Sequence, residues 1–408
     1  MNRLLKSVSL LLCGLLGCAG VDSASARGGP PDPHGDDRPL LRIDAGNAAA
    51  HAERLSEGHK AMLARYASFF MNVYPSRPAF TAPDWFHEAT RANVERGARL
   101  TEDGNGVIDA RRGLPFPDPG NALEVLWNHK LTWRGKAWRR TYMQANVTAA
   151  GAYTPIRVTE TVFDRYQSED YDGEAVIQYF MQDVSAPAQL AGTLLLVHET
   201  LNQREQPRLA WTYNPGQRRV RRAPNVAYDN PGQASDGLRT ADQLYMFNGS
   251  PDRYDWALIG KRPMLVPYNA YRLVSGDLRY ADVTHPGHLN PEHLRYEEHD
   301  VWIIEGTVKS GQRHIYAKRR LYIDAESFQV LMADHWDGQG NLWRVGEIHT
   351  LVYPEIPAMR PGVDVVYDLK NGRYAALGLT NEEGAFEYMD ALPLTTFSPD
   401  ALRRAGVR

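Results

Sequence analysis

The 408-residue chain sets 46 Lys and Arg against 49 Asp and Glu, a net charge of −3 that argues against a nucleic-acid partner. Its two cysteines, Cys13 and Cys18, both stand near the start, so the remainder has no disulfide, thiol nucleophile or cysteine metal site. Nine Trp and 21 Tyr, many in short alternating runs, are the more telling part of the composition.

Arg3 and Lys6 precede an apolar run over 7–16, which ends in Leu15-Leu16-Gly17-Cys18. The run is too short to span a bilayer but has the length of an export-signal core. Residues 1–18 therefore read as a lipoprotein signal, with Cys18 as the lipidated residue and acyl chains as the membrane anchor. Cleavage after Ala24-Ser25-Ala26, giving a soluble periplasmic protein, is the alternative. Either way the expected location is the cell envelope; resemblance to enteric lipoproteins, in which an aspartate after the cysteine marks inner-membrane retention, implies the outer membrane for the lipidated form, because Ala19 stands there. Residues 19–46, with Gly28-Gly29-Pro30-Pro31, read as a flexible tether.

A helical N-terminal region is expected over 47–120. Leu55, Met62, Leu63, Tyr66, Phe69 and Phe70 make one helical face within 47–70, and a second helix runs from Asp84 to about Leu100. From Leu123 the pattern changes to period two. Alternating runs at 142–148, 174–184, 193–201, 208–213, 301–308, 315–323 and 342–352 are separated by turn signals such as Asn214-Pro215-Gly216 and Asn371-Gly372. The expected fold is mainly β: a large curved antiparallel sheet or incomplete β-barrel of roughly ten to twelve strands over 121–353. A short helix over 237–247, with Leu238, Ala241, Leu244 and Tyr245 on one face, reads as a lid over the barrel mouth or equally as a cover for a sheet edge. Residues 354–408 form a C-terminal extension packed on the barrel.

Candidate chemistry is sparse. His285, His288 and His293, with Glu292, are of ligand type, but Pro286, Gly287 and Pro291 put them in a loop without a metal-binding spacing. The His198-Glu199 pair ends a strand, where neighbours point to opposite faces, and lacks the second histidine of a zinc protease motif. No nucleophile elbow, phosphate loop or dinucleotide fingerprint occurs, and no cofactor is expected. Arg218, Arg219, Arg221 and Arg222 follow a turn; they suit an anionic head group or acidic partner, or equally a charged edge strand that blocks aggregation.

The run Trp211-Thr212-Tyr213-Asn214-Pro215-Gly216 resembles a strand–turn–strand of periplasmic lipoprotein carriers. More broadly, 121–353 resembles an uncharacterised Gram-negative envelope family labelled outer-membrane lipoprotein-sorting-like, in the LolA/LolB superfamily. The matching stretches include Glu124-Val125-Leu126-Trp127-Asn128-His129, Arg253-Tyr254-Asp255-Trp256, Val266-Pro267-Tyr268-Asn269 and Arg313-His314-Ile315-Tyr316. The resemblance implies an incomplete antiparallel barrel around a helical lid, with an apolar cavity for acyl chains. It also implies work beside a resistance-nodulation-division-type transporter and a companion outer-membrane protein.

On that basis the expected function is a non-catalytic envelope carrier or acceptor of a lipid-like or acylated molecule. Trp211, Tyr213, Leu238, Leu244, Phe247, Trp256 and Trp302 are the expected cavity and lid residues, with 237–247 as the gate. Each buried CH₂ gains about 0.8 kcal/mol, so a sixteen-carbon chain represents roughly 12 kcal/mol that an aqueous carrier must match. The rivals are a scaffold of a transport complex with a filled core and no ligand, and a metal-dependent envelope hydrolase.

Overall fold

The computed structural model describes residues 27–223, 228–353, 355–384 and 386–406. Cys18 and the signal lie outside the described residues. The first elements are β1 (Leu41–Ile43), a 3-10 stretch Ala48–Arg54, α1 (Glu57–Arg65) and β2 (Met71–Val73). One helix over 47–70 does not form, because the Ser56 hydroxyl accepts from the His59 N–H and starts α1 afresh. The second expected helix is α2 (Asp84–Arg96). Pro83 rather than Asp84 holds its cap position, and Gly97 ends it in the left-handed conformation at φ 74°. A small hairpin, β3 (Arg99–Leu100) with β4 (Val107–Ile108), follows.

Where alternation was expected from Leu123, the chain instead forms α3 (Ala122–Leu131), capped by the Asn121 side chain accepting from the Glu124 N–H. Most of its side chains are buried. A helix enclosed on nearly all sides shows no polar stripe to betray its period.

The meander begins with β5 (Ala137–Val147), β6 (Pro155–Asp164), β7 (Val176–Ala186), β8 (Thr193–Thr200), β9 (Leu209–Asn214) and β10 (Arg219–Arg222). After a long connection come β11 (Tyr254–Pro267), the short α4 (Tyr280–Val283) and the hairpin of β12 (Thr284–His285) and β13 (His288–Leu289). The second run comprises β14 (Tyr296–Val308), β15 (Lys318–Asp324), β16 (Val330–Trp336), β17 (Leu342–Tyr353), β18 (Ala358–Asp368) and β19 (Tyr374–Leu379). The chain ends with β20 (Glu387–Met389) and α5 (Pro399–Gly406).

Apart from the β3–β4 and β12–β13 hairpins, the strands form one 16-stranded sheet, ordered β1-β2-β14-β15-β16-β17-β18-β19-β5-β6-β7-β8-β9-β10, with β11 on β14 and β20 on β5. It is strongly curved, almost wholly antiparallel and not closed into a barrel. Residues 358–379 lie at its centre, where β18 and β19 join the two meanders.

Both faces are covered. On the outer face Met62 and Leu63 of α1 pack with Leu273, Val363, Val365 and Tyr367. Farther along that face Phe397 and Leu402 cover Leu194, Leu196 and Tyr213. On the inner face Leu126 of α3 joins Tyr245, Met246 and Phe247 against Ile304, Leu321, Ile348 and Val366. Each fully buried side chain of this kind stabilises the fold by roughly 1.5–3 kcal/mol.

The expected lid helix over 237–247 is absent. The segment is a strap of turns with one 3-10 turn, Leu244–Met246, in which Tyr245 (φ 53°) and Met246 (φ 66°) are left-handed. Side-chain acceptors take backbone donors that a helix would need: Gln243 Oε1 accepts from the Thr240 N–H at 2.8 Å, and Asn248 Oδ1 from the Leu244 N–H at 3.2 Å. Part of the strap fills the concavity, since Tyr245, Met246 and Phe247 are all buried.

Candidate functional site

The concave face alternates with the outer one along every strand, so its residues follow from register. Buried ion pairs stand at its centre beside the apolar cluster. Arg140 donates to Glu160 at 3.0 Å, and the Tyr142 hydroxyl donates to the same carboxylate at 2.7 Å. Arg344 donates to Asp368 at 3.3 Å, and Arg319 ties the strap to the sheet through Asp242 at 3.0 Å. Burial pushes the Asp364 carboxyl up to about 6 and that of Asp164 up to about 7. Buried charged groups, several of them paired, thus share the middle of the half-barrel with the inner apolar cluster.

An open groove of about 380 Å³ remains at the end formed by β7, β8 and β9, roofed by 231–248. That volume lies in the range of small-molecule sites, roughly 300–1,000 Å³. Its floor is Phe180, Leu195 and Val197, its roof Ala241 and Leu244, and Thr193 and Thr212 lie along the walls. At its inner end Glu199 accepts from Arg208 at 2.8 Å and from Asn248 at 2.9 Å, so its one carboxylate is already neutralised. Register explains the apolar floor: Phe180 pairs with Val197, and Gln182 with Leu195, which puts all four on one face.

The expected cavity residues fall into three places. Leu244 and Tyr213 border the groove, although Tyr213 also belongs to the outer core with Phe397. Leu238, Phe247, Trp256 and Trp302 belong to interior packing. Trp256 meets Phe247 edge-on at 5.3 Å and donates from Nε1 to the Pro251 carbonyl at 3.1 Å. Trp211 lies on the outer face, its ring 4.9 Å from that of His198. The pair His198 and Glu199 does split between faces: the His198 ring meets Phe397 and Tyr179 outside, and Glu199 faces the groove.

Arg219, Arg221 and Arg222 form the edge strand β10, with Arg218 in the turn before it. All four are exposed, and none forms an ion pair among the described residues. His285 and His288 stack across the β12–β13 hairpin at 4.7 Å. His288 is committed elsewhere, its Nδ1 bonded to the Leu289 carbonyl at 2.7 Å and its Nε2 to the Ser68 hydroxyl at 2.8 Å. Burial holds its pKa down at about 4. His293 stands apart in the 3-10 turn Pro291–His293, and no group of three or more His, Cys, Asp and Glu suited to a metal occurs among the described residues.

Sequence reasoning missed Phe180, Leu195, Val197, Arg208 and Arg239 as groove residues. The alternation of Thr193–Thr200 contained the signal for two of them, because Leu195 and Val197 share a face with Glu199. What it lacked was the identity of the element opposite.

A family model described as "Protein of unknown function (DUF1329)" matches residues 42–403, and the chain belongs to that family. It is 44% identical over 391 residues to the uncharacterized protein PA3922 of Pseudomonas aeruginosa, covering 95% of this chain and 86% of that one. Similar solved structures include an outer membrane lipoprotein-sorting-like domain from Vibrio parahaemolyticus, with 15% identity and a TM-score of 0.48 over 69% of this chain and 98% of that one. A DUF1329 family protein from Desulfovibrio piger has 16% identity and a TM-score of 0.46, covering 66% of this chain and 92% of that one. A LolA superfamily protein from Nitrosomonas europaea has 14% identity and a TM-score of 0.40, over 69% and 100%.

Proposed function

We propose that this DUF1329 family member is a non-catalytic envelope carrier or acceptor that holds a lipid-like, acylated molecule in the groove of β7–β9. The observation that carries this reading is the groove itself: an open space with an apolar floor of Phe180, Leu195 and Val197 beneath Leu244. Such a surface removes hydrocarbon from water without enclosing it, which is what reversible transfer requires. Envelope location, anchoring through Cys18 and hand-over to a resistance-nodulation-division-type transporter with an outer-membrane companion belong to the same proposal. No helix among the described residues is long and apolar enough to cross a membrane.

The test is mass spectrometry of an organic-solvent extract from protein beginning after Ala26 and exported to a periplasm. A stoichiometric apolar species, lost when Leu195→Trp fills the groove, is the expected result. The buried charges at the centre favour a second reading, a scaffold within a transport complex. A clean extract from folded protein would select it.

A further inference from the structure

The geometry points to an anionic amphiphile as the ligand, its phosphate- or carboxylate-bearing head held by Arg219, Arg221 and Arg239 at the mouth of the groove. This inference rests on the carrier reading and names its substrate class. The four arginines around β10 are not equivalent. Arg219 is in register with Asn214 and Arg221 with Thr212, and Asn214 and Thr212 both line the groove. Side chains alternate across a strand, so Arg219 and Arg221 project to the groove face, one strand spacing of about 4.8 Å from its wall. Val220 projects to the outer face, where it packs with Tyr213 and Phe397, and Arg222 shares that side.

From the opposite wall the strap brings Arg239, which lines the groove and whose buried Nε has no hydrogen-bond partner. None of these three arginines forms an ion pair among the described residues, and the groove's carboxylate, Glu199, is taken by Arg208. The site therefore presents guanidinium groups without ion-pair partners among the described residues on two walls above a hydrocarbon floor. Guanidinium matches phosphate and carboxylate oxygens with paired donors, and at Arg239 partial burial strengthens the contact beyond what the exposed Arg219 and Arg221 make. A charged edge that served only to block strand pairing would not need a third arginine from another segment.

Binding of dodecyl phosphate, dodecyl maltoside and inorganic phosphate to the exported protein, measured by calorimetry, tests this. Dodecyl phosphate should bind at least ten-fold tighter than dodecyl maltoside. The R219E/R221E variant should erase that preference while leaving maltoside binding unchanged, and R218E/R222E, with the same charge change, should retain most of it. Equal losses in the two double variants would reduce the effect to general surface charge and overturn the inference. So would equal affinity for the two detergents, though the carrier reading would then stand. Inorganic phosphate binding without amphiphile binding, or binding of neither detergent, would overturn both.

Discussion

Asp242→Asn separates burial from distance as the source of ion-pair strength in this fold. Asp242 and Arg319 are almost fully buried and 3.0 Å apart. At an effective dielectric of about 20, unit charges at that separation interact by about 5 kcal/mol. Asparagine keeps the shape but turns an amide toward a guanidinium that cannot lose its proton. The expected loss is about 3–5 kcal/mol, the usual cost of stranding a buried charge. Arg320 and Glu305 are closer, at 2.7 Å, but partly exposed, so Arg320→Gln should cost about 0–1 kcal/mol. Urea unfolding at neutral pH measures both. The pH dependence supplies a second check. Burial alone would raise the Asp242 carboxyl, but the Arg319 charge and the hydrogen bonds from His314 and Thr240 hold it well below the carboxylate range. A carboxyl depressed by folding stabilises above its unfolded value of about 3.9, and that contribution fades as pH falls further. The gap between wild type and Asp242→Asn should therefore shrink below about pH 4. Similar costs for the two substitutions, or a gap that widens in acid, would refute the reasoning.

Three more tests reach other parts of the molecule. A Cβ at Gly346 would lie 2.5 Å from Met246 Sδ, so Gly346→Ala should cost about 1–2 kcal/mol, and the double variant with Met246→Ala should be more stable than the two single losses imply in a denaturant cycle. Leu195→Trp should change stability by less than about 1 kcal/mol, because its ring enters open space, and should remove any copurifying amphiphile seen by mass spectrometry. His288 resists protonation until about pH 4, whereas an unfolded histidine takes up its proton near 6.5. Folding stability should thus fall as pH drops across that interval, and the stability–pH curve of His288→Gln should be flatter there.

The helical spacing of α2 and the alternation of several strands are legible in the sequence, whereas the buried α3 reads as strand although Asn121 caps it. Thr193–Thr200 and Leu342–Tyr353 alternate and are strands β8 and β17. β18 is buried at every position: Val363, Val365 and Tyr367 meet the outer core, Asp364 and Asp368 meet the interior charges, and the apolar Val366 interrupts the alternation. The helical spacing of Leu238, Ala241, Leu244 and Tyr245 misleads for a related reason. These residues meet different partners across a filled concavity, so their spacing reports contacts and not a period. The charged interior was illegible because its pairs are remote in sequence: Asp242 and Arg319 stand 77 residues apart. The edge position of the arginine strand, by contrast, was one of the two readings its composition offered.

The placement of the strap changes what gating can mean. A lid that swings from the concavity would have to break the Asp242–Arg319 pair and expose Phe247, whose carbonyl accepts from His129 Nε2 at 3.1 Å. Together these interactions cost several kcal/mol to undo, more than ligand entry should require. Entry from the β9–β10 side needs none of them broken. Hydrogen exchange distinguishes the two routes. The Met246 and Asn248 amides, bonded to the Gln243 carbonyl at 3.2 Å and the Asp242 carbonyl at 2.9 Å, should exchange slowly whether or not an amphiphile is bound. Phe247→Asp should destabilise the whole fold, since it buries a carboxylate at a fully enclosed position, while Leu244→Asp at the groove roof should weaken retention and leave the sheet intact. Fast exchange at Met246 and Asn248 that slows on amphiphile binding would restore the swinging lid and move the entrance to the centre of the half-barrel.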